Sequence, residues 1–216
     1  MFPIKDHNPS HKTPIVTYSI IIICIIAWLY EVSLWSNLDT FFQDWALQPA
    51  EIVAGTSLLT LITSMFLHGG WMHIIWNMLF LYIFGDNLEA KMGHIKYLLF
   101  YLASWIWASV FQIFSDPSSM IPNIGASGAI AWVMGWYLLI YPKARVDAVV
   151  FLVYYIRKIT LPAYLMLGYW FGMQVFSWVG SLAASGWGWW VAYWAHVWWF
   201  VVGAILILPY MRKKRT

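Results

Sequence analysis

The fold class this sequence predicts is an all-α, polytopic membrane protein with six transmembrane helices and both termini cytoplasmic. Three observations predict it. The 216 residues are 62% hydrophobic and 10% charged, with a mean hydropathy of +0.68, whereas a soluble domain carries about 25% charged residues. The apolar residues fall into six long runs. When the connecting stretches are assigned alternately to two sides of a bilayer, all 12 Lys and Arg land on one side, which the positive-inside rule makes cytoplasmic.

The elements follow in order. Residues 1–14 read as a short cytoplasmic tail, 15–209 as one membrane domain and 210–216 as a basic cytoplasmic tail. Pro14 to Trp35 is the first span, long enough for a hydrocarbon core of about 30 Å. Ser36 to Ser57 has Asp39, Asp44 and Glu51 but no Lys or Arg, and its aromatic content places it on the outer membrane surface. Leu58 to Leu67 is too short to span and reads as an interfacial helix. Trp71 to Phe84 is a short second span, followed by a polar stretch from Gly85 to Lys96. Tyr97 to Phe114 is the third span, Gly125 to Tyr141 holds the fourth, Leu161 to Val179 the fifth and Trp189 to Pro209 the sixth. The apolar patch Ala148 to Ile156 is also too short to span and is expected to dip into the interface. Cys24 is the single cysteine, which excludes an intrachain disulfide and a cysteine metal cluster. No removed signal peptide is expected.

The chain is organised around Gly125-Ala-Ser-Gly128, where a polar loop opens the fourth span. Glycines beside the serine let another backbone approach, and Ser127, Ala131 and Gly135 form a small-xxx-small face suited to tight helix contact in a membrane. On its own the motif is weak, and a packing face with a capping serine also explains it. Three polar side chains inside spans add weight: His73, Asn77 and His196. Such residues usually face the interior of a bundle. Counted from the cytoplasmic helix ends at about 1.5 Å per residue, Ser127, His196 and His73 all lie roughly 20–22 Å up. Asn77 lies about one turn below His73 on the same face. A histidine can take the proton of a serine nucleophile, and Asn77, His73 and a backbone N–H at a helix start can face a developing oxyanion. No acidic residue lies at this depth, so the expectation is a Ser127–His196 dyad without a third member. The alternative is a set of interhelical hydrogen bonds with no chemistry.

His73-Ile-Ile-Trp-Asn77, Gly125-Ala-Ser-Gly128 and Ala195-His196 resemble, in order, the motifs of rhomboid intramembrane serine proteases. Met65 to His73, Phe84 to Glu89 and Tyr141 to Val146 resemble the bacterial members, and the resemblance covers roughly Thr56 to Pro209. It implies a six-helix core that cleaves transmembrane or membrane-adjacent segments of single-pass membrane proteins. It assigns Ser127 as nucleophile, His196 as base, and His73, Asn77 and Gly125 to the oxyanion side. It implies no metal, organic cofactor or nucleic acid, and it suggests a bacterial inner membrane. The fifth helix and the loop at 181 to 188 would correspond to a gate and cap.

One departure sets a structural expectation. The small residues that usually follow the last histidine are Trp198 and Trp199 here, with Gly203 retained. Trp199 shares a helical face with His196 and Gly203, so it is expected to separate the fourth and sixth helices or to demand that other residues make room. A rhomboid-like protein that binds transmembrane helices without cleaving them is therefore the alternative function. A haem protein using His73 and His196 is a third, and a metalloprotease lacks His-Glu-x-x-His. The excess of tryptophan, 17 in all, fits either a repacked variant or a divergent natural member. His68 reads as a solvated turn residue, Glu31 as reaching the interface, and Gly168-x-x-x-Gly172 as a helix-contact motif.

Overall fold

A computed structural model of the chain describes residues 1–8, 10, 12–152, 155–183 and 195–205. The order of elements is β1 (Phe2–Asp6), α1 (Ile15–Leu34), α2 (Leu38–Trp45), α3 (Pro49–Val53), α4 (Thr60–Thr63), α5 (Trp71–Met92), α6 (His94–Ser115), α7 (Ser127–Ile140), β2 (Arg145–Leu152), β3 (Tyr155–Pro162), α8 (Ala163–Ala183) and α9 (Ala195–Ile205). Most of the loop expected at 181 to 188, both ends of the sixth span and the basic tail lie outside the described residues.

The chain is mostly helical, but not all-α. β1, β2 and β3 form an antiparallel sheet in that order, with Phe2 opposite Val149, Asp6 opposite Val146 and Arg145 opposite Pro162. The described residues of the stretch expected to dip into the interface, Ala148 to Ile156, lie in β2 and β3, and part of the expected N-terminal tail is the third strand. The reason is local. Val146, Val149, Val150, Ile156, Ile159 and Thr160 are β-branched and suit a pleated surface. Val146 and Ala148, two residues apart, are fully buried, as period-two packing requires. Asp147 lies between them on the other face. It accepts from Lys158 at 2.7 Å and from the Thr160 hydroxyl at 2.7 Å, and it lies 2.9 Å from His7. The Lys158 ammonium, with these two groups, holds its carboxyl well below the usual carboxylate range.

The second helix is longer than its apolar run. α5 continues through Asp86, Asn87 and Glu89 and stops only where Gly93 takes φ 81° and its N–H closes on Glu89 O at 2.8 Å, a C-terminal cap suited to glycine. The polar residues stay helical because each has a partner. Glu89, fully buried, accepts from the N–H of Val16 and Thr17 at 2.8 Å and from the Thr17 hydroxyl at 2.7 Å. An anion at the start of α1 satisfies donors that have no intrahelical acceptor. Asn87 donates to Asp6 of β1 at 2.8 Å, and Tyr137 of α7 donates to the same carboxylate at 2.7 Å. The sheet is thereby fastened to one end of the helices. Burial pushes the Asp6 carboxyl upward, and these bonds oppose the shift.

The connector from Ser36 to Ser57 does more than lie on a surface. Leu47 and Asn123 exchange backbone hydrogen bonds at 3.2 and 2.8 Å, and Ala50 N–H donates to Ser119 O at 3.0 Å. The Gly125 N–H donates to Ser64 O at 2.9 Å, and the Trp105 indole donates to Leu61 O at 2.6 Å. The connector thus grips the loop that leads into α7. The main core lies where α1, α5, α6 and α7 meet, around the fully buried Leu81, Phe84, Tyr97, Tyr101, Val133 and Tyr137.

Two helical stretches, Ile15–Trp45 and His94–Ser115, are long and apolar enough to cross a membrane, and Ser127–Ile140 and Ala195–Ile205 are shorter apolar helices. α5 has 22 residues and α8 has 21, each a rise of about 32 Å. Acidic and basic residues occupy the last turns of α5, which is why the apolar run underestimates its length.

Candidate active site

Ser127 is the first residue of α7, and Ala126 is its N-cap with no side-chain capping bond. The serine hydroxyl is therefore not spent as a cap. It lies 2.8 Å from Nε2 of His196, on the first turn of the described part of α9. Two residues before Ser127, Gly125 takes φ 108°, a conformation that favours glycine. A side chain there would also run into the His73 ring, with Asn77 Nδ2 at 3.5 Å. That glycine is what lets the start of α7 lie against the first turns of α5. The five residues singled out in the sequence, Ser127, His196, His73, Asn77 and Gly125, are all brought together.

Hydrogen bonds orient the two imidazoles. The Gly69 N–H donates to His73 Nδ1 at 3.3 Å, so the proton of the neutral ring sits on Nε2, the atom that faces Gly125. The Nδ1 of His196 lies 3.0 Å from Oε1 of Gln174 on α8. An amide oxygen only accepts, so Nδ1 carries the proton and the Nε2 lone pair faces Ser127. Asn77 Nδ2 is buried and has no hydrogen-bond partner among the described residues. Leaving a buried donor unmade costs about 1–3 kcal/mol. The N–H groups of Ser127 and Gly128 lie in the first turn of α7, where no intrahelical acceptor exists. Gly125 contributes space rather than a donor, because its own N–H is taken by Ser64 O.

A cavity of about 600 Å³ opens beside Ser127 and His196, walled by Met72, Trp76, Ile130, Met134, Trp170 and Met173. It is apolar except at the site. Phe2 of β1 closes one flank by stacking on Trp76 at 4.5 Å. A smaller hollow of about 120 Å³ reaches Ser127 from the other side, past Leu47 and Gln112.

The tryptophan conflict does not arise. Trp198 is 47% exposed and points away from the bundle. Trp199 lies over Gly128, its ring atoms 3.3 Å from where a Cβ would stand, and its ring meets the His196 imidazole edge-on at 5.4 Å. Gly135 and Gly203 keep the two helices close: a Cβ at Gly203 would stand 2.8 Å from the Trp132 backbone, and one at Gly135 would collide with Phe200 O. The missing side chain of Gly128 makes room for the indole.

Sequence reasoning missed three groups. Gln174 is a polar residue inside a span, the same signal that marks His73 and Asn77. His68 is not a solvated turn residue: it is fully buried, its ring lies 5.1 Å from that of His73, and its N–H meets the Glu31 carboxylate at 3.1 Å. Glu31 is likewise fully buried in α1 rather than reaching outward.

Comparison with known proteins gives the family. A family model for the Rhomboid domain matches residues 55–213. A Bacillus subtilis protein, YdcA, whose name assigns it provisionally to the rhomboid proteases, is 30% identical over 131 residues, 58% of this chain and 61% of its own length. RHOMBOID-like protein 6, mitochondrial, of Arabidopsis thaliana is 38% identical over 90 residues, 42% of this chain and 29% of its own. Rhomboid protein 1, mitochondrial, of Saccharomyces cerevisiae is 31% identical over 115 residues, 51% of this chain and 33% of its own. The chain thus spans under two thirds of the length of each of these relatives. With the family match covering most of its length, this chain belongs to the rhomboid family of membrane proteins.

Proposed function

We propose that the chain is an intramembrane serine endopeptidase acting on transmembrane or membrane-adjacent segments of single-pass membrane proteins. The observation that carries this reading is the Nε2 of His196 at 2.8 Å from the Ser127 hydroxyl, with two donors, His73 Nε2–H and the Asn77 Nδ2, which has no partner among the described residues, facing the same space. The reaction follows from those atoms. Ser127 Oγ attacks the peptide carbonyl as His196 Nε2 takes its proton. The carbonyl oxygen becomes an oxyanion held by Asn77, His73 and the first N–H groups of α7. His196 then returns the proton to the departing amine, leaving an acyl-serine. Water, deprotonated by His196, releases the acid. The apolar cavity suits a peptide drawn from a bilayer.

The same reading includes six spans with both termini cytoplasmic, supported by the one-sided distribution of Lys and Arg. It also includes a bacterial inner membrane, although mitochondrial and chloroplast proteins are among the relatives. The alternative, a family member that binds helices without cutting them, rested on Trp198 and Trp199, and neither holds α7 and α9 apart.

The test is fluorophosphonate labelling of the purified chain in detergent, comparing wild type with Ser127→Ala and His196→Ala. Labelling of wild type that vanishes in both variants is expected. A folded wild type that takes no label, or a Ser127→Ala variant that still takes it, overturns the reading.

A further inference from the structure

We propose that Gln174 is the positioning residue of His196, filling the place an acidic residue takes in a triad, and that α8 thereby sets whether the base is armed. The inference rests on the protease reading above. Its starting point is that the dyad expected from the sequence has a third hydrogen-bonding member, on a different helix.

The chemistry is specific to the acceptor. His196 acts as a base only when its proton is on Nδ1, leaving the Nε2 lone pair toward Ser127. The Oε1 of Gln174, 3.0 Å from Nδ1, holds that tautomer. Were the amide to turn and offer its NH2 instead, Nδ1 would become the acceptor. The ring proton would then sit on Nε2, facing the serine, and the base would be disarmed. Gln174 lines the cavity beside Ser127, where its amide N–H can donate to a carbonyl of a peptide lying there. Such a donor bond keeps Oε1 on the histidine. Aromatic contacts cannot supply the tautomer: Trp170 and Trp199 flank the ring at 6.3 and 5.4 Å and fix its plane, not its proton.

The placement of Gln174 makes this a property of α8. Among the side chains of that helix whose burial is described, the fully buried ones, Ala163, Met166 and Leu167, lie in its first two turns. Farther along, Tyr169, Met173, Phe176 and Val179 are exposed. The described ties of α8 to α9 are the Gln174 bond, the ring of Trp170 against His196 at 6.3 Å and Phe200 at 5.8 Å, and the ring of Phe171 against Phe200 at 5.3 Å, so Gln174 makes the described hydrogen bond among them. Moving the upper half of α8 outward removes the acceptor.

The experiment measures fluorophosphonate labelling rates at Ser127, and kcat and KM on a transmembrane peptide, for wild type, Gln174→Met and Gln174→Glu, with the thermal midpoint of each. Methionine keeps the length and apolar body but offers no useful acceptor. Glutamate keeps a carboxyl oxygen in place, protonated or not. We expect Gln174→Met to slow labelling and kcat roughly 10- to 100-fold, the effect of a misplaced reacting group, with KM and midpoint nearly unchanged. Gln174→Glu restores most of the rate. A packing role gives the reverse order, with methionine tolerated and buried glutamate destabilising, and that result overturns the inference. Gln174→Met labelling at the wild-type rate overturns it as well. Should Gln174→Met not fold, Gln174→Asn withdraws the acceptor by one methylene; slow labelling supports the inference and wild-type labelling overturns it. A wild type that takes no label is a different failure, that of the protease reading itself.

Discussion

α7 and α8 each carry small residues at four-residue spacing, and they use them in opposite ways. On α7, Ser127, Ala131 and Gly135 meet α9 so closely that a methyl group on Gly135 would collide with the Phe200 backbone. On α8, Gly168 and Gly172 have no described atom within 4 Å of where a Cβ would be. The first pair of helices is a seam; the second motif makes no such contact with the described residues. Small residues permit close approach, but a seam also needs a complementary partner. α7 has one because Gly203 on α9 faces Trp132 while Gly135 faces Phe200, glycine to bulk in each direction. The nucleophile and the base both sit on the seam. One wall of the cavity, formed by Trp170, Met173 and Gln174, sits on α8, the helix whose glycines meet no described residue.

The largest effect expected from this contrast follows from filling the seam. Gly203→Leu places a branched side chain where even a Cβ stands 2.8 Å from the Trp132 backbone. Backbone cannot rotate aside, so α9 must move. Overpacking commonly costs about 1–3 kcal/mol, and an error near 1 Å in the Ser127–His196 distance costs about 100-fold in rate. Labelling of Ser127 should fall at least that far, with a lowered thermal midpoint. Normal labelling would show that the seam does not hold the dyad.

Next in size is a loss of activity without a loss of stability. Asn77→Ala removes a buried amide that has no described partner, so no bond is broken in the resting protein. If the amide serves a developing oxyanion, kcat falls about 100- to 1,000-fold while the thermal midpoint holds or rises. A drop in midpoint with unchanged kcat would place Asn77 in the framework instead.

The seam and the site residues on it were legible in the sequence because they obey helical geometry. Ser127, His73 and His196 fall at one depth when counted from helix ends, and the i, i+4 relation aligns His73 with Asn77. What was not legible depended on partners from distant parts of the chain. The charges after Phe84 looked like a loop, since nothing local shows that Glu89 caps α1 or that Asn87 holds β1. The hairpin at Arg145–Pro162 carries β-branched residues but no Gly, Asn or Asp at its turn, so apolar length alone was read and an interfacial dip inferred. Glu31 and His68 were read as outward-facing because only the fold shows that one meets the other. Trp199 was read as a wedge because the space above Gly128 cannot be seen from spacing. Gln174 was visible as a polar residue in a span, but a search for acidic third members does not look at amides.

A subtler effect concerns how α8 is held from below. β3 runs directly into it, and the N–H groups of Ala163 and Tyr164 bond Ala144 O and Pro142 O at 2.8 and 3.0 Å. Asp147 stabilises that base through Lys158, Thr160 and His7. Its folded carboxyl is held below the ordinary range, so its contribution is complete above about pH 4 and drains as pH falls through the depressed value. Asp147→Asn should make amide exchange across 145–162 severalfold faster at neutral pH and remove the acid sensitivity of this region. Protection from exchange, corrected for the intrinsic amide rate at each pH, that still falls on acidification in the variant would assign the pH response to another group.

The smallest effect is the sharpest test of the contrast itself. Gly168→Ala and Gly172→Ala put a methyl group into open space on α8, at positions with helical backbone. Alanine in a helix interior is favoured over glycine by roughly 0.5–1 kcal/mol. Each substitution should therefore leave the thermal midpoint unchanged or slightly raised, with labelling of Ser127 intact, while Gly135→Ala on α7 lowers both. A loss of stability at Gly168 or Gly172 comparable to that at Gly135 would mean that α8 has a tight partner after all. It would then be a second seam, and the idea that this helix is held at its foot and by Gln174 would have to be abandoned.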